Sequence, residues 1–199
     1  MEAPIKKIDR RIKKTKKLLK DGLTALMQNK SIKDITVKEL ADSIDINRGT
    51  FYLYYKDIYD MLDKVETEMM EEFNELVCAH PAGSLVQDPL PLLEEIFVFL
   101  SENAEICIVL LSNNGDISFI KKLTQVVHEK CLNDWLKIYN KVDPQNFEYS
   151  YSYFLYGCVG LVETWLTNGM PESPQSMAVL LKDLILNGIF KLPADASAQ

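Results

Sequence analysis

The chain has 199 residues, of which 47% are hydrophobic and 26% charged, with a net charge of −7. This length allows one large domain or two small ones, and the composition is that of a globular protein rather than a disordered one. No apolar run reaches the ~20 residues of a membrane span, and no secretory-type apolar segment follows the basic N-terminus. We therefore expect a cytoplasmic protein with no membrane anchor.

The charge is distributed unevenly along the chain. Residues 1–64 carry 15 basic and 10 acidic side chains, whereas residues 65–199 carry 7 basic and 19 acidic ones. A basic head on an acidic body is what a protein needs if only its head approaches a polyanion such as DNA. The lysine-rich run from Lys6 to Lys20 could also be a solvated helix face, or a basic amphipathic helix on a membrane surface.

Neither a metal site nor a catalytic site is expected. The four cysteines form no C-x-x-C pair and are best interpreted as buried apolar residues: Cys78, Cys107, Cys131 and Cys158. His128 and Cys131 share a helix face, but two ligands do not make a metal site. The chain has no nucleophile elbow and no glycine-rich phosphate loop, so we expect no cofactor and no enzymatic activity.

Apolar residues recur three and four positions apart, which predicts an all-α fold. The apolar face of the first helix consists of Ile8, Ile12, Leu19, Leu23 and Leu26. Thr36 begins a second, short helix, because Glu39 three residues later completes a capping-box pattern. The predicted buried face of this second helix consists of Val37, Leu40, Ala41 and Ile44.

Two further helix starts follow closely. Asn47 is a favoured N-cap for a third short helix that begins at Arg48. A fourth helix is predicted from about Asp57 to His80, ending before a connector that contains proline and glycine. The predicted apolar seam of this helix consists of Ile58, Met61, Leu62, Val65, Met69, Phe73 and Leu76.

The second half of the chain continues the helical pattern. A helix is predicted from about Phe119 to Tyr139. A long helix then begins at Asp143-Pro144, and the last helix begins at Ser173-Pro174, in both cases with an N-cap residue before a first-turn proline. Residues 193–199 are predicted to be a frayed tail.

The second and third helices meet the requirements of a helix-turn-helix. Ala41 is small enough for the helices to cross, Asp45 tolerates the left-handed dihedrals of the turn, and Ile46 can anchor the turn in the core. The third helix would then enter the major groove by its N-terminal end. There Arg48 is suited to reading a base, and Gly49 permits close backbone approach.

The aromatic residues of "RGTFYLYY" divide between core and surface. Phe51 faces the first two helices and Tyr55 faces the fourth, whereas Tyr52 faces outward and Tyr54 lies where a DNA backbone would pass. Tyr59 could be core or surface. The amides that follow Thr36 form a further phosphate site. The predicted DNA-binding residues are Thr36, Val37, Lys38, Asn47, Arg48, Gly49, Thr50, Tyr52, Tyr54 and Lys56.

Residues 8–70, and above all "ITVKELADSIDINRGTFYLYYKDIYDML", resemble the DNA-binding domain of the TetR/AcrR family of bacterial transcription factors. The residues that match in identity or in kind are Thr36, Leu40, Ala41, Gly49, Thr50, Phe51, Tyr52, Tyr54 and Leu62. Asp45, Asn47 and Tyr55 stand where the family usually has glycine, serine and phenylalanine. The family's phosphate-contacting lysine is Ile58 here, and Lys56 is the candidate substitute.

The resemblance implies a two-domain architecture. A helix-turn-helix domain at 1–64 would be joined by the long fourth helix to a ligand-binding and dimerisation domain at 65–199. The segment "YGCVGLVETWLTNGMPESPQSMAVLLKDLI" resembles the same domain in regulators of dihydroxyacetone kinase operons.

The resemblance also implies that the domain dimerises through its last two long helices, and the residues there allow it. Gly157 and Gly160 leave a shallow face for another helix, with large apolar residues beside it. The predicted interface residues are Gly157, Gly160, Leu161, Trp165, Leu181 and Leu184. A symmetric dimer would place two recognition helices about 34–36 Å apart on a palindromic double-stranded operator.

The resemblance further implies a repressor that an unknown small molecule releases from DNA by shifting a population of states. The predicted pocket residues are Phe97, Cys107, His128, Trp135, Tyr153 and Phe154. The alternative is a regulator, possibly an activator, that a protein partner controls.

Overall fold

A computed structural model describes residues 4–81, 88–111, 119, 121–128 and 144–187. Every regular element in these residues is helical, which confirms the predicted all-α fold. The helices are α1 (Pro4–Met27), a 3-10 turn (Ile32–Asp34), α2 (Val37–Ser43), α3 (Arg48–Tyr52), α4 (Ile58–Ala79), α5 (Leu90–Glu102), α6 (Ala104–Leu111), α7 (described over 121–128), α8 (Pro144–Thr167) and α9 (Pro174–Asn187). The described helices include none that is long and apolar enough to cross a membrane.

The chain forms two compact units. The first contains α1, α2, α3 and the part of α4 that ends at Glu71. It also contains α6 from Glu105 onward. The second contains Glu72–Ala104, with the last turns of α4 and all of α5, and the described residues from Lys121 onward. The domain boundary predicted after residue 64 stays a prediction.

The first unit buries most of the apolar residues predicted to face its core. The side chains of Leu19 and Leu23 on α1, Leu40 on α2 and Met61 on α4 are almost completely buried. In the part of α4 that belongs to the second unit, Leu76 of the predicted seam is half-buried and its neighbour Val77 is buried. Ile12, predicted on the apolar face of α1, is 36% exposed, and Val37 and Ile44 from the predicted face of the second helix are half-buried. The predicted apolar faces are therefore covered in part.

The second unit has its own core. Phe73 and Val77 near the end of α4 pack with Leu92 of α5, and α5 also packs along α9. Phe97 of α5 meets Trp165 of α8 edge to face, with ring centroids 5.3 Å apart. These contacts bury aromatic area in a favourable geometry.

The predicted starts of the last two helices are confirmed. Pro144 and Pro174 are the first residues of α8 and α9, and the Ser173 hydroxyl accepts a hydrogen bond from Ser176 N–H at 3.1 Å. Between them, α8 ends in a Schellman motif in which Gly169 has φ 81° and Met170 N–H donates to Trp165 O at 2.9 Å. Cys131, Trp135, Asp143 and the tail 193–199 lie outside the described residues.

Candidate nucleic-acid interface

Helix α2 begins at the predicted cap. The Thr36 hydroxyl accepts a hydrogen bond from Glu39 N–H at 3.1 Å. The Glu39 carboxylate pairs with Lys30 Nζ. Thr36 and Lys38 are exposed and Val37 is half-buried. The Glu39 amide is already bonded to the Thr36 hydroxyl, and the phosphate site expected at the amides that follow Thr36 stays a prediction.

The turn between α2 and α3 has the predicted left-handed residue. Asp45 has φ 54°, and Ile46 N–H donates to Ala41 O at 2.9 Å. This six-to-one hydrogen bond is that of a Schellman C-cap, in which the left-handed position usually belongs to glycine. Aspartate tolerates that conformation better than most residues with a Cβ atom.

Helix α3 is capped by Asn47, as the sequence predicts. Its side-chain Oδ1 accepts a hydrogen bond from Gly49 N–H at 2.7 Å. A Cβ atom at Gly49 would lie 3.2 Å from that same Oδ1 and would press on the cap. Arg48 and Gly49 are exposed, so the N-terminal turn of α3 is open to solvent on the side where a helix-turn-helix would read base edges.

The aromatic residues separate as predicted. Phe51 is fully buried and Tyr55 is buried, whereas 56% of Tyr52 is exposed and Tyr54 is half-buried. Tyr59, which the sequence left open, is exposed. Burial raises the pKa of the Tyr55 phenol, as desolvation of a group that ionises to an anion must. Tyr52 and Tyr54 thus remain available to a phosphate or a base, while Phe51 and Tyr55 hold α3 to the core.

A polar network ties the end of α3 to the start of α4. Asp57 Oδ1 accepts from Asp60 N–H at 2.8 Å, and Asp60 Oδ2 accepts from Lys56 N–H at 2.9 Å. Lys64 Nζ donates to Asp60 Oδ2 at 2.9 Å and to Tyr54 O at 3.2 Å. The hydrogen bond from Lys64, followed by that from the Lys56 amide, lowers the pKa of the Asp60 carboxyl. The segment that follows the recognition helix is therefore fixed at three points.

Ile58 is part of the core. Its side chain is buried in the first turn of α4, so this position supplies apolar packing and no cation for a phosphate. Lys56, two residues earlier, is exposed, so its side chain can reach a phosphate in place of the missing lysine.

The environments of two residues of the head, Leu53 and Gly22, were not predicted from the sequence. Leu53, directly after α3, is 77% exposed, although its apolar character alone gave no reason to place it at the surface. At Gly22 on α1, a Cβ atom would lie 2.5 Å from Ile44 Cγ2 and 3.1 Å from Leu40 Cδ1. A glycine within an otherwise strong helical pattern was the available signal of such a close approach.

The predicted pocket residues occupy different environments. Phe97 is buried against Trp165, and His128 on α7 meets Tyr151 of α8 edge to face at 4.6 Å. Phe154 is half-buried, whereas 68% of Tyr153 is exposed.

Cys107 lies on α6, which clusters with the first unit rather than with the second. Burial raises the pKa of its thiol to about 12, so the group stays neutral and unreactive at physiological pH. Whether any of these residues lines a ligand site stays a prediction.

The residues predicted for the dimer interface also differ in exposure. Gly157 and Gly160 are exposed, and a Cβ atom at either would meet nothing within 4 Å. Leu161 and Leu184 are half-buried and Leu181 is buried. Trp165 is 3% exposed, and its Nε1–H donates to Glu172 O at 3.1 Å, which fixes the turn after α8.

The exposed face of α8 carries three tyrosines that the sequence did not single out as a group. Tyr149, Tyr153 and Tyr156 are all exposed. Their spacing of four and three residues places them on one face of the helix, and Gly160 continues it. Such a contiguous aromatic surface is typical of an interaction site.

Comparisons with known proteins agree with this architecture. The family model described as "Transcriptional regulator C-terminal region", of the TetR type, matches residues 87–187, just over half of the chain. Over 53 residues the chain is 38% identical to the uncharacterized HTH-type transcriptional regulator YxbF of Bacillus subtilis. This alignment spans 27% of the chain and only 14% of the relative.

Two solved structures share the fold. The dihydroxyacetone kinase operon activator DhaS superposes with a TM-score of 0.58 at 17% identity, covering 86% of this chain and 94% of that one. The regulator FadR from Bacillus subtilis, solved in complex with stearoyl-CoA, superposes with a TM-score of 0.59 at 15% identity, covering 87% and 98%. The matched proteins are transcriptional regulators rather than enzymes, and the chain belongs to the TetR family of transcriptional regulators.

Proposed function

We propose that this regulator binds a palindromic operator as a homodimer in the bacterial cytoplasm and acts as a repressor that a small molecule releases. The supporting observation is the α2–turn–α3 unit. It is capped at Thr36 and Asn47, its turn is closed at Asp45, and it leaves Arg48 and Tyr52 exposed. A rigid short helix with an exposed, basic N-terminal turn is what insertion into the major groove requires.

The exposed side chains divide into readers and anchors. Arg48 can bond bidentately to guanine, and Leu53 can contact only apolar groups of a base, such as the thymine methyl. Tyr52, Tyr54 and Lys56 are suited to phosphates, as are the amides that follow Thr36. Phosphate contacts set the position of the head, and Arg48 and Leu53 would set its preference.

Selection of bound duplexes from a random pool tests the proposal. We expect a palindrome, with half-site centres about one helical turn apart. Arg48→Ala should cost about 1–3 kcal/mol on the selected site and relax preference at one or two positions.

Lys33→Ala is the matched control, because it removes one exposed positive charge from the head outside α3. It should leave the order of preferred sequences unchanged. Equal affinity of the wild type and Arg48→Ala for every sequence would exclude a base-reading role for Arg48.

The homodimer is supported by the exposed face of α8. Three exposed tyrosines stand beside Gly157 and Gly160, where space is open. Exposed apolar residues also occur on α9, at Val179, Leu180 and Leu186. Two copies that cover these faces would bring both heads onto one operator.

Release by a small molecule is supported by the second unit, whose polarisable aromatic residues include His128, Tyr151 and Phe154. Stearoyl-CoA is a reasonable first compound, because the FadR protein of the same fold was solved with it. A ligand that binds and leaves operator affinity unchanged would not be the effector, since it has no preference between the two states.

Control by a protein partner is the alternative, and DhaS, which shares the fold, is named an activator. The tyrosine face of α8 would then bind that partner. A purified chain that stays monomeric at micromolar concentration, with this face free, would favour the alternative over the homodimer.

A further inference from the structure

The outer face of α1 carries a group of unpaired basic side chains. Arg10, Lys13, Lys14 and Lys17 are all exposed, and their spacing of three, four and seven residues makes them neighbours on the helix surface. Within the described part of the chain none of the four forms an ion pair, whereas Lys16 beside them pairs with Glu68 at 2.9 Å. Like charges at this spacing destabilise a helix, so the arrangement favours a polyanionic partner.

This basic face begins beside the carboxyl end of the recognition helix. Lys16 is close enough to Tyr54 and Tyr55 to interact with both electrostatically. Lys13 precedes Lys16 by three residues and is therefore its neighbour on α1. The exposed cations of α1 therefore adjoin the surface that contains Tyr54.

The partner is better matched by DNA than by a membrane. A helix that lies on a bilayer inserts its apolar face between the lipids. In α1 that face includes Leu19, Leu23 and Met27, which are at most 1% exposed because they pack in the core. Two apolar side chains of α1, Ile12 and Leu18, are 36% and 41% exposed. They are few beside the four exposed cations, so what this face mainly offers is positive charge, which is the requirement for binding phosphates.

We infer that the basic face of α1 binds backbone phosphates of duplex DNA that flanks the base pairs read by α3. The contact is independent of sequence and lengthens the duplex that each head occupies. This inference rests on the proposed function, since the flanking phosphates are within reach only when α3 occupies its groove.

The test compares Lys14→Gln/Lys17→Gln with Lys121→Gln/Lys122→Gln. Both double variants change the net charge equally, the second at exposed positions of α7. Glutamine favours helix about as well as lysine, so both variants should keep their helical content and their Tm. In the α1 variant, the slope of log affinity against log salt should fall by about 2, on the operator and on random duplex alike.

The same variants are measured on two operator duplexes, one trimmed to the palindrome and one extended by about one helical turn on each side. The wild type and the α7 variant should bind the extended duplex more tightly, and the α1 variant should lose most of that gain. The selected palindrome itself should not change.

An unchanged salt slope in the α1 variant would overturn the inference while leaving the proposed function intact. Failure of the wild type to select any palindrome would instead overturn the proposed function. Loss of binding to phosphatidylserine vesicles with an unchanged DNA salt slope would assign the face to a membrane and overturn the inference as well.

Discussion

Asp60 shows how a single carboxylate can fix the geometry of the head. Its two contacts, to Lys64 Nζ and to Lys56 N–H, join the start of α4 to the segment after the recognition helix. Lys64 extends the link to Tyr54 O. Because these groups favour the ionised form of Asp60, they lower the pKa of its carboxyl below the ordinary 3.8.

We expect Asp60→Asn to lower Tm at pH 7, and we expect the difference to shrink as the pH falls below about 3.8. The contribution of Asp60 is complete above its unfolded-state pKa of about 3.8 and is lost as the pH falls through the lower folded-state pKa. The measurement is the Tm gap between the wild type and the variant at each pH. Asp42→Asn, at an exposed position of α2, is the control and should show no such closing gap. A gap of constant size would contradict the ionic role.

The sequence predicted residues well where helical periodicity decides their environment. Phe51 falls on the covered side of α3 and Tyr52 on the open side, because neighbouring residues of a helix point in different directions. The exposure of Leu53 was not predicted, because helical periodicity does not fix the direction of a residue beyond the last helical turn. The hydrogen bonds that join Asp60, Lys64 and Tyr54 were also not predicted, since they depend on where α3 ends relative to α4.

At the scale of elements, the turn between α2 and α3 is the most specific structure in the head. Asp45 holds φ 54° there, a conformation that costs an ordinary L-residue about 1–2 kcal/mol. Asp45→Gly should therefore be neutral or stabilising by up to about 1 kcal/mol, and Asp45→Ala should destabilise by about 1 kcal/mol.

Denaturant unfolding of four variants checks this order. At Asp42, which lies within α2, the preference should be reversed: alanine should be more stable than glycine by about 1 kcal/mol, because the backbone is helical there. If alanine and glycine rank the same way at both positions, the left-handed turn does not limit stability.

Helix ends were predictable because capping is local. Thr36, Asn47 and Ser173 each accept the expected backbone hydrogen bond within three residues. Contacts between helices are not local, so the approach of α2 to Gly22 on α1 could not be located beforehand. The division of α5 from α6 falls at Asn103, in the polar run "SENAE", and was not predicted.

At the scale of the whole molecule, composition along the chain indicated a basic head and an acidic body, but tertiary packing decides which apolar residues remain outside. Trp165, expected at the interface, packs on Phe97, whereas Tyr153, expected in a pocket, is exposed. Both are large aromatic residues of the same helix, α8. Their roles could not be separated without the positions of the helices around them.

Dimerisation through α8 can be tested at Gly160. A Cβ atom there would meet nothing within 4 Å, so the backbone at Gly160 can carry a side chain. Glutamate also favours helix more than glycine does, so a loss of dimer could not be attributed to a weakened α8. We expect Gly160→Glu to convert a dimer into a monomer, as measured by light scattering. The variant should also bind the palindrome no better than a single half-site, because the second head no longer acts at a high effective concentration.

The control is Asn74→Glu, which adds the same charge at an exposed position of α4 and should remain dimeric. A Gly160→Glu protein that is still dimeric would place the interface elsewhere and leave the tyrosine face of α8 to another protein.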